Sequence, residues 1–190
     1  MGNGSRAHKR RLKEGFYKKY IVGTGIDIGC ADHDRSIHPS VMLWDQQLGS
    51  GDATFMEGLP NNFLSFVYAS HILEHLDQRG VALKNWLRLV KPGGYLIVCV
   101  PERDLYEEKT VLPSVHNVDH KCFFKLDQEE EPDTVSFNML IKRTFFDEVE
   151  VIYSKVYDTD WPGQQNKTIE HVRKEYPIGE FQIECVMRKN

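Results

Sequence analysis

Long apolar runs are absent from this chain of 190 residues. No stretch approaches the roughly 20 residues needed to cross a bilayer, and the opening MGNGSRAHKRRLKEG has no apolar core that would serve as a secretory leader. The expected address is the cytoplasm. Cysteine is scarce, and Cys30, Cys99, Cys122 and Cys185 form no C-x-x-C pair, so neither a zinc knuckle nor a redox dithiol is suggested. They read as reduced thiols, mostly in strands. An excess of basic charge is also missing: a net charge of −4 lacks the footprint of a general nucleic-acid binder, and nucleic acid is not the expected partner. Internal repeats are absent. What is present is ordinary for a globular domain, 41% hydrophobic and 27% charged, which excludes wholesale disorder. The length suits one full core and not two, so residues 1–190 are expected to form a single domain.

One local exception to the charge balance lies in the N-terminal segment, residues 1–22, where between His8 and Lys19 the residues Lys9, Arg10, Arg11, Lys13, Lys18 and Lys19 face only Glu14. A solvated helix face or a mobile terminus is the expectation, with a phosphate-attracting patch as the alternative. Beyond it, strand and helix signals alternate. IVGTGIDIG (21–29), VMLW (41–44), FLSFVYA (63–69) and GYLIVCV (94–100) are short, nearly continuous apolar runs bounded by glycine, proline or aspartate. Between the last two, Ile72, Leu73, Leu76, Ala82, Leu83, Trp86, Leu87 and Val90 recur with helical period until Lys91-Pro92-Gly93-Gly94 stops them. Strand, helix and strand at this spacing predict βαβ units, hence an α/β fold with a mostly parallel sheet and helices on its faces. Val149, Val151 and Tyr153, then Phe181, Ile183, Cys185 and Met187, alternate as half-buried strands do and predict a closing antiparallel pair. Residues 103–133, polar and ending in the acidic DQEEEPD, are longer than a plain connection. In an open α/β sheet such a loop hangs over the ligand crevice, which makes it the candidate acceptor lid. The acidic run itself is expected to do no more than meet solvent.

SHILEHL (70–76) raises the question of a metal. On a helix, His71, Glu74 and His75 share a face, the spacing of a zinc peptidase. Five residues of degenerate pattern decide nothing without their flanks, and the flanks point elsewhere.

GIDIGCA (25–31), LWD ending at Asp45, GDA (51–53), FVYASHILEHL and NWLRLVKPGGYLIVCVPE occur in order over residues 23–102. As a set they resemble the class I S-adenosylmethionine-dependent methyltransferases, type 11-like. The lid motif, Pro-Ser followed by Asn117-x-Asp119-His120-Lys121 and a phenylalanine, is similar to a small bacterial subgroup associated with surface glycans. The resemblance implies a Rossmann-like sheet of seven strands with an antiparallel C-terminal strand, and S-adenosylmethionine as cofactor. It places Gly29, Cys30 and Ala31 under the methionine part, Asp27 steadying the loop, and Asp45 on the ribose hydroxyls, where a carboxylate suits a diol. Asp52 falls on the adenine amino group, Ala53 and Met56 along the ring, and Ser70 beside the sulfonium. The family shows glycines where Ala31 and His33 stand; an alanine fits if its φ is negative.

On this resemblance the peptidase-like spacing at 71–75 is a coincidence of helical period, with SHILEHL ending a strand and starting a helix. Some quinone-ring and small-RNA methyltransferases hold a divalent metal with an E-x-x-E-H variant here, so His71, Glu74, His75 and His120 are metal candidates; a metal is possible without being predicted. Methyl transfer is an in-line displacement in which alignment supplies much of the rate, and a hydroxyl acceptor also needs a base. His71 and His120 are the candidates, with Asp119 orienting one of them and His116 weaker. The leading expectation is O-methylation of a small polar acceptor such as a sugar or sugar phosphate. RNA or another phosphate-bearing acceptor, a non-catalytic cofactor-binding subunit, and a dinucleotide oxidoreductase lacking the full G-x-G-x-x-G are the competing readings.

Overall fold

The structure, a computed structural model, describes residues 3–31, 36–160 and 179–190. Two short helices, α1 (Asn3–Lys13) and α2 (Phe16–Tyr20), precede β1 (Gly25–Ile28), β2 (Met42–Trp44), β3 (Leu64–Ser70), α3 (Arg79–Leu89) and β4 (Val90–Pro101). A small parallel pair, β5 (Phe123–Lys125) and β6 (Thr134–Ser136), leads into α4 (Phe137–Phe145), β7 (Val149–Asp160) and β8 (Gly179–Lys189).

The main sheet has the order β2-β1-β3-β4-β8-β7. The first four strands are parallel, and β8 runs antiparallel between β4 and β7. The mostly parallel α/β sheet with an antiparallel C-terminal strand is therefore as expected, with six strands among the described residues where the resemblance implied seven. β1 lies between β2 and β3, so successive connections leave it in opposite directions; the crevice outside the carboxyl ends at this reversal is where open α/β sheets bind ligands.

Strands buried on both faces need apolar residues throughout, which is why these runs do not alternate. One face packs Ile26, Ile28, Val67 and Leu96 against Leu83 and Trp86 of α3 and Phe137, Ile141 and Phe145 of α4. The other packs Phe66, Tyr68, Ile97 and Val186 against Phe16 and Tyr20 of α2. Lys91-Pro92-Gly93-Gly94 enters β4 through a register shift against β3, and Gly94 is required there: a Cβ would lie 2.6 Å from the Ser65 carbonyl oxygen.

The basic N-terminal segment departs from the solvated-face expectation at Arg10 and Arg11. Arg11 is 2% exposed and donates to Glu184 (2.8 and 2.6 Å) and to the Tyr68 hydroxyl (2.8 Å). Arg10 bridges Glu180 and Glu184. Both carboxylates lie on β8, so the segment is bolted to the sheet by charge as well as by Phe16 and Tyr20. Lys9, Lys13, Lys18 and Lys19 remain exposed. Among the described residues no helix is long and apolar enough to cross a membrane.

Candidate active site

The first half of the site is a backbone turn held by carboxylates. Gly29 follows β1 at φ +79, donates to the Trp44 carbonyl (2.9 Å) and lies under Ile72, whose Cβ would be 2.9 Å from any Cβ added there. Only glycine satisfies both the left-handed φ and the close approach. Ala31 departs from expectation. It takes φ +61 instead of a negative angle; its amide donates to Asp45 Oδ2 (2.9 Å), the contact that holds it in this strained conformation. Asp45 stands half-buried at the end of β2, and its Oδ1 accepts from the Gln47 amide (2.8 Å), capping a single turn. Asp27 is buried within β1 and accepts from the Ile37 amide (2.6 Å); burial pushes its carboxyl up to about 7. Cys30 is buried, and desolvation pushes its thiol up to about 11, so it is a packing group and not a thiolate. His33 lies outside the described residues.

Asp52 is exposed on the next turn and caps it through the Thr54 amide (2.7 Å). Ala53 and Thr54 are held by α3: Trp86 Nε1 donates to the Ala53 carbonyl (2.8 Å) and Asn85 to the Thr54 carbonyl (2.9 Å). Met56, expected along the adenine ring, is wholly buried and belongs to the core. The core residue Trp86 thus also fixes the loop of Asp52 and Ala53, a role its helical spacing gave no hint of.

The second half sits at the carboxyl ends of β3 and β4. The shared helical face expected for His71, Glu74 and His75 does not form. Ser70 ends β3, His71 turns at φ +55, Leu73–His75 is one 3-10 turn, and α3 begins only at Arg79. What brings the groups together is the sharp turn. His71 Nε2 meets Gln182 Oε1 of β8 at 3.1 Å, while its Nδ1 lies 3.6 Å from Glu74 Oε1. Desolvation lowers His71 to about 4, so its ring is neutral at working pH. Glu74 is fully buried with neither oxygen hydrogen-bonded, and burial, with the charge of Glu107 adding, raises it to about 8.

The lid docks onto this turn. Lys121 donates its amide to the Glu74 carbonyl (2.7 Å), and the His75 and His120 rings meet edge to face at 4.8 Å. Tyr106, in the π-helical turn Arg103–Glu107, stacks toward His120 at 6.3 Å and lies 6.2 Å from His71 and 5.2 Å from His116. Burial alone would raise Glu107, but bonds from His120, Ser114 and the Val115 amide hold it below the usual carboxylate range. Its Oε1 lies 2.8 Å from His120 Nδ1, a close approach without full hydrogen-bond alignment. Asp119, expected to orient a histidine by its carboxylate, has an exposed side chain. Its carboxylate charge and its backbone both act on His75; Glu107 is the acid beside His120. The acidic run also does more than meet solvent, since Glu130 pairs with the buried Arg103 (2.7 Å) and Asp133 accepts from the Leu112 amide (2.8 Å). An open depression lined by Asn62, Lys84, Arg88, Glu148 and Lys189 lies at the opposite, amino end of the parallel strands. Its charges are already paired within the protein.

A methyltransferase-domain family profile matches residues 10–130. The chain belongs to this family. No curated protein matches it. Among solved structures, this methyltransferase is similar to an S-adenosylmethionine-dependent methyltransferase from Mesorhizobium loti, with 12% identity, a TM-score of 0.56 and coverage of 99% of this chain and 98% of that one. A second, from Archaeoglobus fulgidus, is 15% identical with a TM-score of 0.55, covering 99% and 95%. A third belongs to a Haloferax volcanii complex between the Trm112 methyltransferase activator and a methyltransferase, at 13% identity and a TM-score of 0.52, covering 96% and 92%. At these identities the likeness is one of fold. Glu107, Gln182, Tyr106 and Ser114 were invisible in the methyltransferase's sequence, since no spacing links them to His71 or His120; only the docking of the lid and of β8 does.

Proposed function

We propose that this methyltransferase moves the methyl group of S-adenosylmethionine to a hydroxyl oxygen of a small polar acceptor, a sugar or sugar phosphate of a surface glycan, in the cytoplasm. The observation that carries it is the pairing of a glycine turn and a strand-end carboxylate at the sheet's reversal point with a roof of imidazole and phenol groups over the neighbouring strand end. Ala31 donates directly to Asp45, Gly29 donates to the adjacent Trp44 carbonyl, and Asp45 retains free lone pairs for a ribose diol. Asp27, Asp52, Ala53 and Ser70 complete the donor side as the resemblance assigns them, with Cys30 packing beneath. S-adenosylmethionine supplies a methyl already activated on a sulfonium, so the protein's task is to align the acceptor oxygen and take its proton. His71, neutral and at the end of β3, is the group for that proton. His120 and Tyr106 shape the acceptor side, and Asp119 acts on His75 through its charge and its backbone.

The polar roof supports a hydroxylated acceptor over an apolar one. The RNA reading loses part of its support because Arg10 and Arg11 are spent on Glu180 and Glu184, which leaves only the lysines of the basic segment facing solvent. The four buried, unpaired thiols fit a reducing compartment. The test is calorimetry with S-adenosylhomocysteine, then radiolabelled methyl transfer to a panel of sugars, sugar phosphates and short RNA. Micromolar binding with turnover on a sugar class is expected. Binding with no acceptor modified supports the non-catalytic subunit, and binding of a nicotinamide cofactor instead would overturn the donor assignment.

A further inference from the structure

We infer that Glu74, His75 and His120 form a binding site for one divalent first-row transition-metal ion, assembled only when the lid docks. One potential ligand atom from each lies within 4.8 Å of the other two. Proximity alone proves little; what points to an ion is a buried carboxyl to which the neighbouring imidazoles do not donate. Glu74 is fully buried, and both of its oxygens lack a hydrogen-bond partner. An ionised carboxylate so placed costs several kcal/mol unless something positive meets it.

The neighbouring imidazoles do not meet it with protons, because each has one ring nitrogen engaged elsewhere. Glu107, held as a carboxylate by Ser114 and the Val115 amide, stands 2.8 Å from His120 Nδ1. It favours the proton on that nitrogen and leaves Nε2 a lone pair. The charge and backbone of Asp119 act on His75 and favour a proton on the nitrogen that faces them, which leaves its other nitrogen for the cluster. His71 follows the same rule through a relay. Glu180 accepts from Arg10 and from Gln182 Nε2 (3.0 Å). A carboxylate only accepts, so the Gln182 amide is fixed with its oxygen toward His71, and His71 must donate from Nε2. Its Nδ1 lone pair then faces Glu74 at 3.6 Å.

Imidazoles whose outer N–H is held by a carboxylate or carbonyl, with the inner nitrogen bare beside an orphan carboxylate, are the arrangement that metal-ligating histidines adopt. Two imidazoles and one carboxylate suit Mn²⁺, Fe²⁺, Co²⁺ or Zn²⁺ better than Mg²⁺ or Ca²⁺, which prefer all-oxygen shells. Since His75 and Glu74 come from the turn after β3 and His120 from the lid, the ion also ties the lid to the sheet. This site stands apart from the choice of acceptor.

The test uses the full chain without a histidine tag, stripped with chelator and titrated with Co²⁺ while d–d absorption and heat are followed; Zn²⁺ and Mn²⁺ are titrated by calorimetry. Expected are one ion per chain, a melting temperature raised by the ion and lowered again by chelator, and a loss of affinity of about 100-fold in Glu74→Gln and His120→Ala. Glu107→Gln, which touches no ion, is expected to weaken binding by about 10-fold or more through His120. Absence of d–d bands, heat and thermal shift with all three ions would overturn the site, as would Glu74→Gln binding as tightly as the unaltered chain. Should Glu74→Gln fail to fold, the chelator-reversible thermal shift of the unaltered chain decides. S-adenosylhomocysteine calorimetry on the same samples separates loss of this site from failure of the donor reading.

Discussion

Replacing Asp45 isolates the strand-end carboxylate from everything else in the site. In the structure its Oδ2 accepts from the Ala31 amide and its Oδ1 from the Gln47 amide. On the proposed reading it also accepts two ribose hydroxyls. Hydrogen bonds to a charged group contribute about 1.5–3 kcal/mol each, so Asp45→Ala removes about 3–6 kcal/mol of direct donor binding. Competition from water entering the space returns part of this. A net loss of about 3 kcal/mol corresponds to roughly 100-fold in Kd for S-adenosylhomocysteine. Ala31 loses the hydrogen bond that holds it at φ +61, which adds to the effect by letting the loop relax. Asp45→Asn keeps an acceptor for the Ala31 amide and one for a hydroxyl but drops the charge, and is expected to weaken binding by about 10-fold. Calorimetry measures both variants, and a thermal melt checks the fold, where loss of two backbone caps costs about 1–2 kcal/mol. If Asp45→Ala binds within threefold of the unaltered chain, the carboxylate does not hold the ribose and the cofactor geometry is wrong.

Three further outcomes test the scaffold. Gly29→Ala forces a left-handed φ on a Cβ that also meets Ile72 at 2.9 Å; about 2–4 kcal/mol of stability and more than tenfold in donor binding are expected to be lost, and a variant that binds normally would remove the turn from the site. Arg11→Met leaves the buried Glu184 with Arg10, Tyr153 and the weak Cys99 thiol donor, so urea titration is expected to show a loss of about 2–4 kcal/mol, and under 1 kcal/mol would refute the burial argument. Asp27 keeps its proton to about pH 7 in the folded chain but only to about 4 when unfolded. The folded state therefore binds more protons between these values, and stability falls as pH rises through that window and stays lower above it. Asp27→Asn should lose this dependence, by about 2–4 kcal/mol between pH 5 and 8 in urea titrations; identical pH profiles for the two proteins would show that Asp27 is ionised throughout.

The parallel strands were legible because burial on both faces demands unbroken apolar runs, and α3 because Ala82, Leu83, Trp86 and Leu87 must share the side facing the sheet. The Gly29 turn and Asp45 could be found in the sequence since the first βα turn and the end of β2 are local features that a short motif can encode. His71, Glu74 and His75 were visible as a group but placed wrongly: the pattern suits a helix, and the chain instead makes a sharp turn because Ile72 must cover Gly29 and Glu74 must face inward.

The linear order of residues by itself determined the α/β class, the strand and helix that frame the crevice, and the motifs that mark a methyltransferase, for each depends on contacts within a few residues or on hydrophobic period. The partners of the site were decided only by tertiary packing. Glu107 reaches His120 and Gln182 reaches His71 across long stretches of chain, and Arg10 and Arg11 exchange solvent for Glu180 and Glu184 because β8 is inserted beside β4. Such pairings carry no local pattern: they arise from which buried charges the fold leaves facing one another, and a carboxylate left without a donor in the interior becomes visible only when its neighbours are in place.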